Sequence, residues 1–282
     1  MEMLTGKGCP SADRQKVQDE QDIAVKNSLD KIKNKFMVMS GKGGVGKTSV
    51  SVNLGIALSK KGFKVGIMDV DIHGPDVPRM LGLEGMLGMS GNQKLVPIKY
   101  SETLSAVSIE SLSPSKDDAI IWRGPIKHGV IRQFIGDVEW GELDYLIIDS
   151  PPGTGDEPLT VAQIIPDAKA IIVTTPQEVA LGDVRKSINF CRTVNMEMFG
   201  LIENMSGFSC PHCGKSVELF GSGGGEKTAA AAKINFLGKI PFDTHVVSCG
   251  DAGACFQDNY SDSPVAKAFA DIAQKMAELA VK

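Results

Sequence analysis

The chain has 282 residues, with 30 Lys and Arg against 34 Asp and Glu and a formal net charge of −4. That mild acidity argues against broad electrostatic binding to nucleic acid or acidic lipid. With 42% hydrophobic and 23% charged residues the composition is that of an ordinary globular protein, and no apolar run approaches the roughly 18 to 20 residues a membrane span needs.

Residues 1–34 form a charged lead-in, read as helical from 11 to 34, with Val25, Leu29 and Ile32 on one face. Its start, Met1 to Gln15, has no apolar signal core, so the expected location is the cytoplasm. Residues 35–282 read as one α/β domain. Short apolar runs fall at 36–40, 64–69, 104–109, 145–149, 170–175, 198–204 and 237–241. Several lack alternation, which fits parallel strands covered on both faces. Crossover helices are expected between them. One spans 47–62, and another spans 125–136 with Pro125 suited to the first helical position. A third spans 178–194, where Val184, Ile188 and Cys191 make an apolar stripe. Residues 84–119, rich in Gly, Ser and Pro, read as a surface insertion with a short strand pair. The last twenty residues form an amphipathic helix whose face of Val265, Phe269, Ile272, Met276 and Leu279 packs on the sheet. The expected fold is a P-loop NTPase: a mostly parallel central sheet flanked by helices on both faces, in three layers.

The P-loop assignment comes from residues 41–48, GKGGVGKT, which match G-x-x-x-x-G-K-[ST] between an apolar strand and a helix. Gly41, Gly43, Gly44 and Gly46 let the backbone aim N–H groups at phosphate oxygens, with Lys42 and Val45 between them. Lys47 is placed for the β- and γ-phosphates, Thr48 for Mg²⁺, and Ser49 completes the expected nucleotide loop. Asp149 ends an apolar strand where a magnesium-holding carboxylate belongs. Asp69 and Asp71, at i and i+2 on an extended segment, point the same way, toward the phosphates.

With its early Lys42, this loop resembles the deviant phosphate loop of the MinD/ParA/nitrogenase-iron-protein class of ATPases. In that class the early lysine reaches across a two-fold axis to the partner subunit's nucleotide. The resemblance therefore implies a homodimer, with Lys47 serving its own ATP and Lys42 its neighbour's.

Six cysteines occur, Cys9, Cys191, Cys210, Cys213, Cys249 and Cys255. In a reducing compartment they read as thiols or metal ligands. Cys210 and Cys213 sit in a C-P-x-C-G turn that aims two sulfurs at one metal. His212, inside it, reads as a solvent-facing spacer. Two thiolates leave a four-ligand site half built. The remaining ligands come from Cys249 and Cys255, whose C-x₅-C spacing is loose, or from a second copy of the turn across a two-fold axis. Zn²⁺ and an iron–sulfur cluster both suit such a site, and zinc is possible in protein purified in air.

Taken together, GKGGVGKT, MDVDIHGPDVPRMLG, WRGP, DYLIIDSPPGTGDEPLT, TTPQEVAL, ENMSGFSCPHCG, GKIPFD and YSDSPVAKAF resemble the Mrp/ApbC family of iron–sulfur cluster carrier ATPases over about residues 32–275. The resemblance implies slow ATP hydrolysis, with Lys42, Lys47 and Asp71 catalytic and Thr48, Asp69 and Asp149 around Mg²⁺. It makes Asn204 the adenine-reading residue, places Pro241 beside the base, and has Asp71 orient the attacking water. It implies a [4Fe–4S] cluster bridged by Cys210 and Cys213 at the homodimer interface. That cluster would pass to apo iron–sulfur proteins, with cluster-assembly factors as further partners. Some relatives carry a four-cysteine N-terminal motif. Here only Cys9 precedes the loop, and Cys249 and Cys255 are outside the family pattern. The competing reading is a MinD/ParA-like positioning ATPase with a structural zinc. The cysteine turn, and the lack of a basic patch or membrane anchor, argue against it and against nucleic-acid or membrane partners.

Overall fold

The computed structural model describes residues 10–72, 74–112, 124–209, 213 and 215–281. Helix α1 (Pro10–Leu29) leads into strand β1 (Ile32–Ser40), and α2 (Lys47–Lys60) follows the glycine-rich loop. Next come β2 (Val65–Asp69), the short α3 (Val77–Met80), the two-residue strands β3 (Gly88–Met89), β4 (Leu95–Val96) and β5 (Ile98–Lys99), and β6 (Leu104–Ser108). Helix α4 (Gly124–Gly136), β7 (Leu143–Asp149), α5 (Asp156–Ile164), β8 (Lys169–Thr174) and α6 (Glu178–Thr193) continue the alternation. The chain closes with β9 (Glu197–Ser209), β10 (Ser216–Val217), α7 (Gly224–Ala232), β11 (Phe236–Phe242), α8 (Thr244–Asp251), α9 (Phe256–Asn259) and α10 (Pro264–Ala280).

Nine of these strands form one sheet in the order β10-β9-β8-β1-β7-β2-β6-β5, with β11 paired to β9. The pairs are parallel except β5 on β6 and β10 on β9. Continuous apolar runs make these strands because both faces are covered. Along β1, Phe36 and Val38 join one core and Met37 and Met39 the other. The first core holds Val50, Leu54 and Leu58 of α2 and Phe269, Ile272 and Met276 of α10. The second holds Phe134 of α4, Val161 of α5 and Val184, Ile188 and Cys191 of α6. The three-layer arrangement is therefore written in the strand alternation.

Two sequence-based boundaries shift. The lead-in helix ends at Leu29, and Ile32 pairs with Leu143 as the first residue of β1 instead of continuing the helical face. Helix α1 packs on α4, with Val25 and Leu29 buried among Val130, Ile131 and Phe134 and Asp22 ion-paired to Arg132. The expected insertion over 84–119 also divides. Strands β3 and β4 make the short antiparallel pair, but Leu104–Ser108 lies within the main sheet beside β2. Residues 113–119 lie outside the described residues.

At the C-terminus, Ser263 caps α10 by accepting the Ala266 N–H at 3.1 Å, and the expected apolar face lies on the sheet, with Leu279 half-buried at its end. No helix among the described residues is long and apolar enough to cross a membrane.

Because Leu29 of α1 is buried in this core, Leu29→Ala lowers unfolding stability by about 2–5 kcal/mol in urea titrations, the usual cost of truncating a buried leucine. An unchanged midpoint would mean the helix is an independent appendage.

Candidate functional site

The parallel register brings three strand ends together. Val38 of β1 and Asp69 of β2 both lie opposite Asp149 of β7, so the glycine-rich loop, Asp69 and Asp149 share the carboxyl edge of the sheet. The loop is held from both sides. Ser40 Oγ donates to Lys42 O at 2.9 Å, and Gly153 N–H donates to Ser40 O at 2.8 Å. Gly46, just before α2, has φ of 79°, and a methyl group there would overlap the Asn204 amide. A methyl at Gly41 would overlap the Asp183 backbone in α6. These glycines serve close approach as well as the turn.

The first two turns of α2 converge on Asp149, which is fully buried. Lys47 Nζ lies 2.9 Å from its Oδ1, Thr48 Oγ1 donates to its Oδ2 at 2.7 Å, and Ser51 Oγ donates to Oδ1 at 2.6 Å. Asp69, also fully buried, accepts Ser108 Oγ at 3.1 Å, Asp71 N–H at 3.1 Å and Val77 N–H at 3.4 Å. Burial, and then the neighbouring Asp149 carboxylate, hold the Asp69 carboxyl well above the usual carboxylate range, while Lys47 pulls it down. Asp71 is buried just beyond the strand end. Two buried carboxylates beside the Thr48 hydroxyl form a hard oxygen set that fits Mg²⁺. Lys42 is half-buried, and its ammonium makes no hydrogen bond or ion pair with any described residue.

Beside the loop, a cavity of about 310 Å³ is lined by Gly46, Ser49, Asn204, Pro241, Phe242 and Val246, among others. Asn204 Nδ2 donates to Val45 O at 2.9 Å, tying β9 to the loop. Asn204 and Pro241, far apart in sequence, therefore meet at one apolar recess that opens onto the phosphate loop.

Strands β9 and β10 flank the cysteine segment in the chain and pair with each other. Ser216 and Val217 of β10 pair antiparallel with Ser209 and Phe208 of β9. Cys213 is exposed and not in a disulfide. Cys210, His212 and Cys9 lie outside the described residues. Among the described residues no three His, Cys, Asp or Glu side chains converge on a metal position, so Cys249 and Cys255 do not join Cys213. Cys191 packs in the core with Sγ 3.5 Å from Met39 Sδ, and burial pushes its thiol up to about 11.

Two residues escaped the sequence reading. Ser51 lies one turn beyond Lys47, a spacing that places it on the same helix face. Glu203 is a fully buried carboxylate in β9, visible only as one acid in an apolar run.

A family model described as ParA: NUBPL iron-transfer P-loop NTPase matches residues 31–277. The chain is 50% identical over 250 residues to an iron-sulfur cluster carrier protein of Methanocaldococcus jannaschii, covering 87% of this chain and 86% of that one. It is 47% identical over 258 residues to the cytosolic Fe-S cluster assembly factor Nubp2 homolog of Drosophila erecta, covering 90% and 99%. Among solved structures, a nucleotide-binding protein of Archaeoglobus fulgidus in complex with ADP is 41% identical with a TM-score of 0.73, covering 82% of this chain and 91% of that one. The cell division ATPase MinD of Pyrococcus furiosus shares the fold, at 20% identity and a TM-score of 0.65 over 88% of this chain and 99% of that one.

Ser51→Ala removes a short bond to a buried carboxylate. Unfolding stability should fall by about 1–3 kcal/mol, measured by denaturant titration of the nucleotide-free protein. No loss would mean that Lys47 and Thr48 alone satisfy Asp149.

Proposed function

Because the chain belongs to the NUBPL-type iron-transfer P-loop NTPases of the ParA class, we propose that it is an ATP-binding, slowly ATP-hydrolysing carrier of a [4Fe–4S] cluster, its cargo, which it delivers to apo iron–sulfur proteins. The observation that carries this reading is the exposed Cys213 just beyond the end of β9, the strand that meets the phosphate loop through Asn204. Exposure suits a cargo that must be released, more than a structural zinc clasp in a positioning ATPase.

The residues divide the work as follows. The backbone of Gly41, Gly43, Gly44, Val45 and Gly46 cradles phosphates, and Ser49, Asn204 and Pro241 border the recess for the adenine. Lys47 leaves Asp149 for the β- and γ-phosphates. Thr48, Asp69 and Asp149 would hold Mg²⁺, which would supply charge neutralisation at the phosphates. Asp71 orients the water that attacks the γ-phosphorus as ADP leaves. Lys42, with no partner among the described residues of its own chain, extends to the nucleotide of a second copy. The two chains then bring together Cys210 and Cys213 from each, four thiolates around one cluster. ATP gripped from both sides distinguishes the closed pair from the open one, and only such differential binding shifts the equilibrium. Cluster-assembly factors load the thiols, and the cytoplasm is the setting.

Anaerobic reconstitution with iron and sulfide should give about four irons per pair of chains, as expected for a four-cysteine cubane. Cys210→Ala or Cys213→Ala abolishes uptake and Cys249→Ala does not. Normal uptake by the double variant Cys210→Ala, Cys213→Ala contradicts the site. In nucleotide-binding and phosphate-release assays, Lys47→Ala loses ATP binding, and Lys42→Ala keeps most binding but loses hydrolysis. Equal loss of binding in both would rule out a role for Lys42 across the pair.

A further inference from the structure

The segment from Gly221 to Glu226, GSGGGE, looks like a second anion-binding loop opening helix α7. Its anion comes from the protein itself. Gly223 N–H donates to Glu203 Oε1 at 2.8 Å, and Gly225 N–H donates to Oε2 at 2.5 Å. Ser206 Oγ donates to Oε1 at 2.5 Å and lies 3.3 Å from Ser222 Oγ. Glu203 is fully buried, and a methyl group on Gly225 would come 3.0 Å from its Oε2. The glycines of this run admit the carboxylate to the helix N-terminus, where the backbone N–H groups and the helix dipole favour negative charge.

What this carboxylate joins is informative. Glu203 and Ser206 belong to the arm of the hairpin that leads to Cys210, and Ser222, Gly223 and Gly225 follow the arm that returns from Cys213. Glu203 therefore clamps the hairpin at its base. A second clamp is aromatic: Phe242 of β11 meets Phe208 on the outgoing arm, with ring centroids 5.9 Å apart, and Phe220 on the returning arm at 6.2 Å. Both clamps border the nucleotide recess. Asn204, next to Glu203, holds the phosphate loop at Val45 O, and Phe242 lines the cavity. Between them Met205 has φ of 55° and Gly207 has φ of 78°, so the strand is kinked where the two sites join.

We propose that Glu203 is a positioning residue that fixes the cysteine-bearing hairpin to the nucleotide recess, so that nucleotide bound against Asn204 and Phe242 is felt at the thiols through residues 203–208. Glu203 touches neither nucleotide nor cargo and acts through the two arms it joins. The linkage rests on the reading above for its cargo alone, since it concerns the thiols whether or not they hold a cluster.

The test uses the full chain without cluster. Alkylation of Cys213 by iodoacetamide is followed by mass spectrometry with and without Mg²⁺ and a saturating non-hydrolysable ATP analogue, and binding of the analogue is measured in parallel. In the unaltered protein the analogue changes the alkylation rate by about fivefold or more, the lower range of ordinary coupling between sites. Glu203→Gln puts an amide N–H where a backbone N–H now donates. It keeps binding of the analogue, but the rate ratio falls to unity. Ser206→Ala, which leaves both backbone donors in place, gives a partial loss, and it decides the matter if Glu203→Gln does not fold. A full ratio in either folded variant, or no nucleotide effect in the unaltered protein, overturns the linkage. Cluster uptake is scored separately: its absence in the unaltered protein contradicts the carrier reading while the alkylation ratio still judges the linkage.

Discussion

A single buried carboxylate, Asp149, organises the nucleotide site. It ends β7, sits between the ends of β1 and β2, and takes Lys47, Thr48 and Ser51 from the first two turns of α2. Removing one partner of such a buried ion pair commonly costs about 3–5 kcal/mol, because the other charge is left uncompensated. The same contacts therefore stabilise the nucleotide-free fold and hold the groups that would serve phosphate and Mg²⁺. In the proposed nucleotide complex, phosphate would draw Lys47 away from Asp149, and Mg²⁺ would replace the lost ammonium. Asp69 sharpens this. Burial, and then the Asp149 carboxylate, hold its carboxyl well above the usual range, while Lys47 pulls it down.

The second organising element is β9. Strand β1 delivers the phosphate loop, but β9 carries Glu203, Asn204, Ser206 and Phe208 within six residues and then runs into the cysteine turn. Parallel pairing with β11 brings Asn204 opposite Ile240, next to Pro241 and Phe242 of the recess. The recess beside the phosphate loop and the chain that leads to Cys213 thus share one strand and its neighbour.

The central strands were legible because they are covered on both faces and so read as largely unbroken apolar runs. Residues 41–48 and the acids at the ends of β2 and β7 were legible because phosphate chemistry demands those residue types in that order. The start of β1 was hidden because it alternates: Lys33 is exposed and pairs with Asp144, while Lys35 buries its stem and reaches Asp167. The end of β9 was hidden because its kink at Met205 and Gly207 looks like a loop. Glu203 was hidden for a different reason. Its partners, the Gly223 and Gly225 N–H groups, lie twenty or more residues away, and no local pattern announces a backbone donor. Helix α7, with its run of alanines, lacks the apolar stripe that marked α6.

The central claim is that two chains share one cluster between their hairpin tips. Native mass spectrometry of anaerobically reconstituted protein tests it most directly. The account predicts a species of two chains with one four-iron cluster, which separates into cluster-free monomers when the metal is removed. A single chain carrying a complete cluster by itself would contradict it.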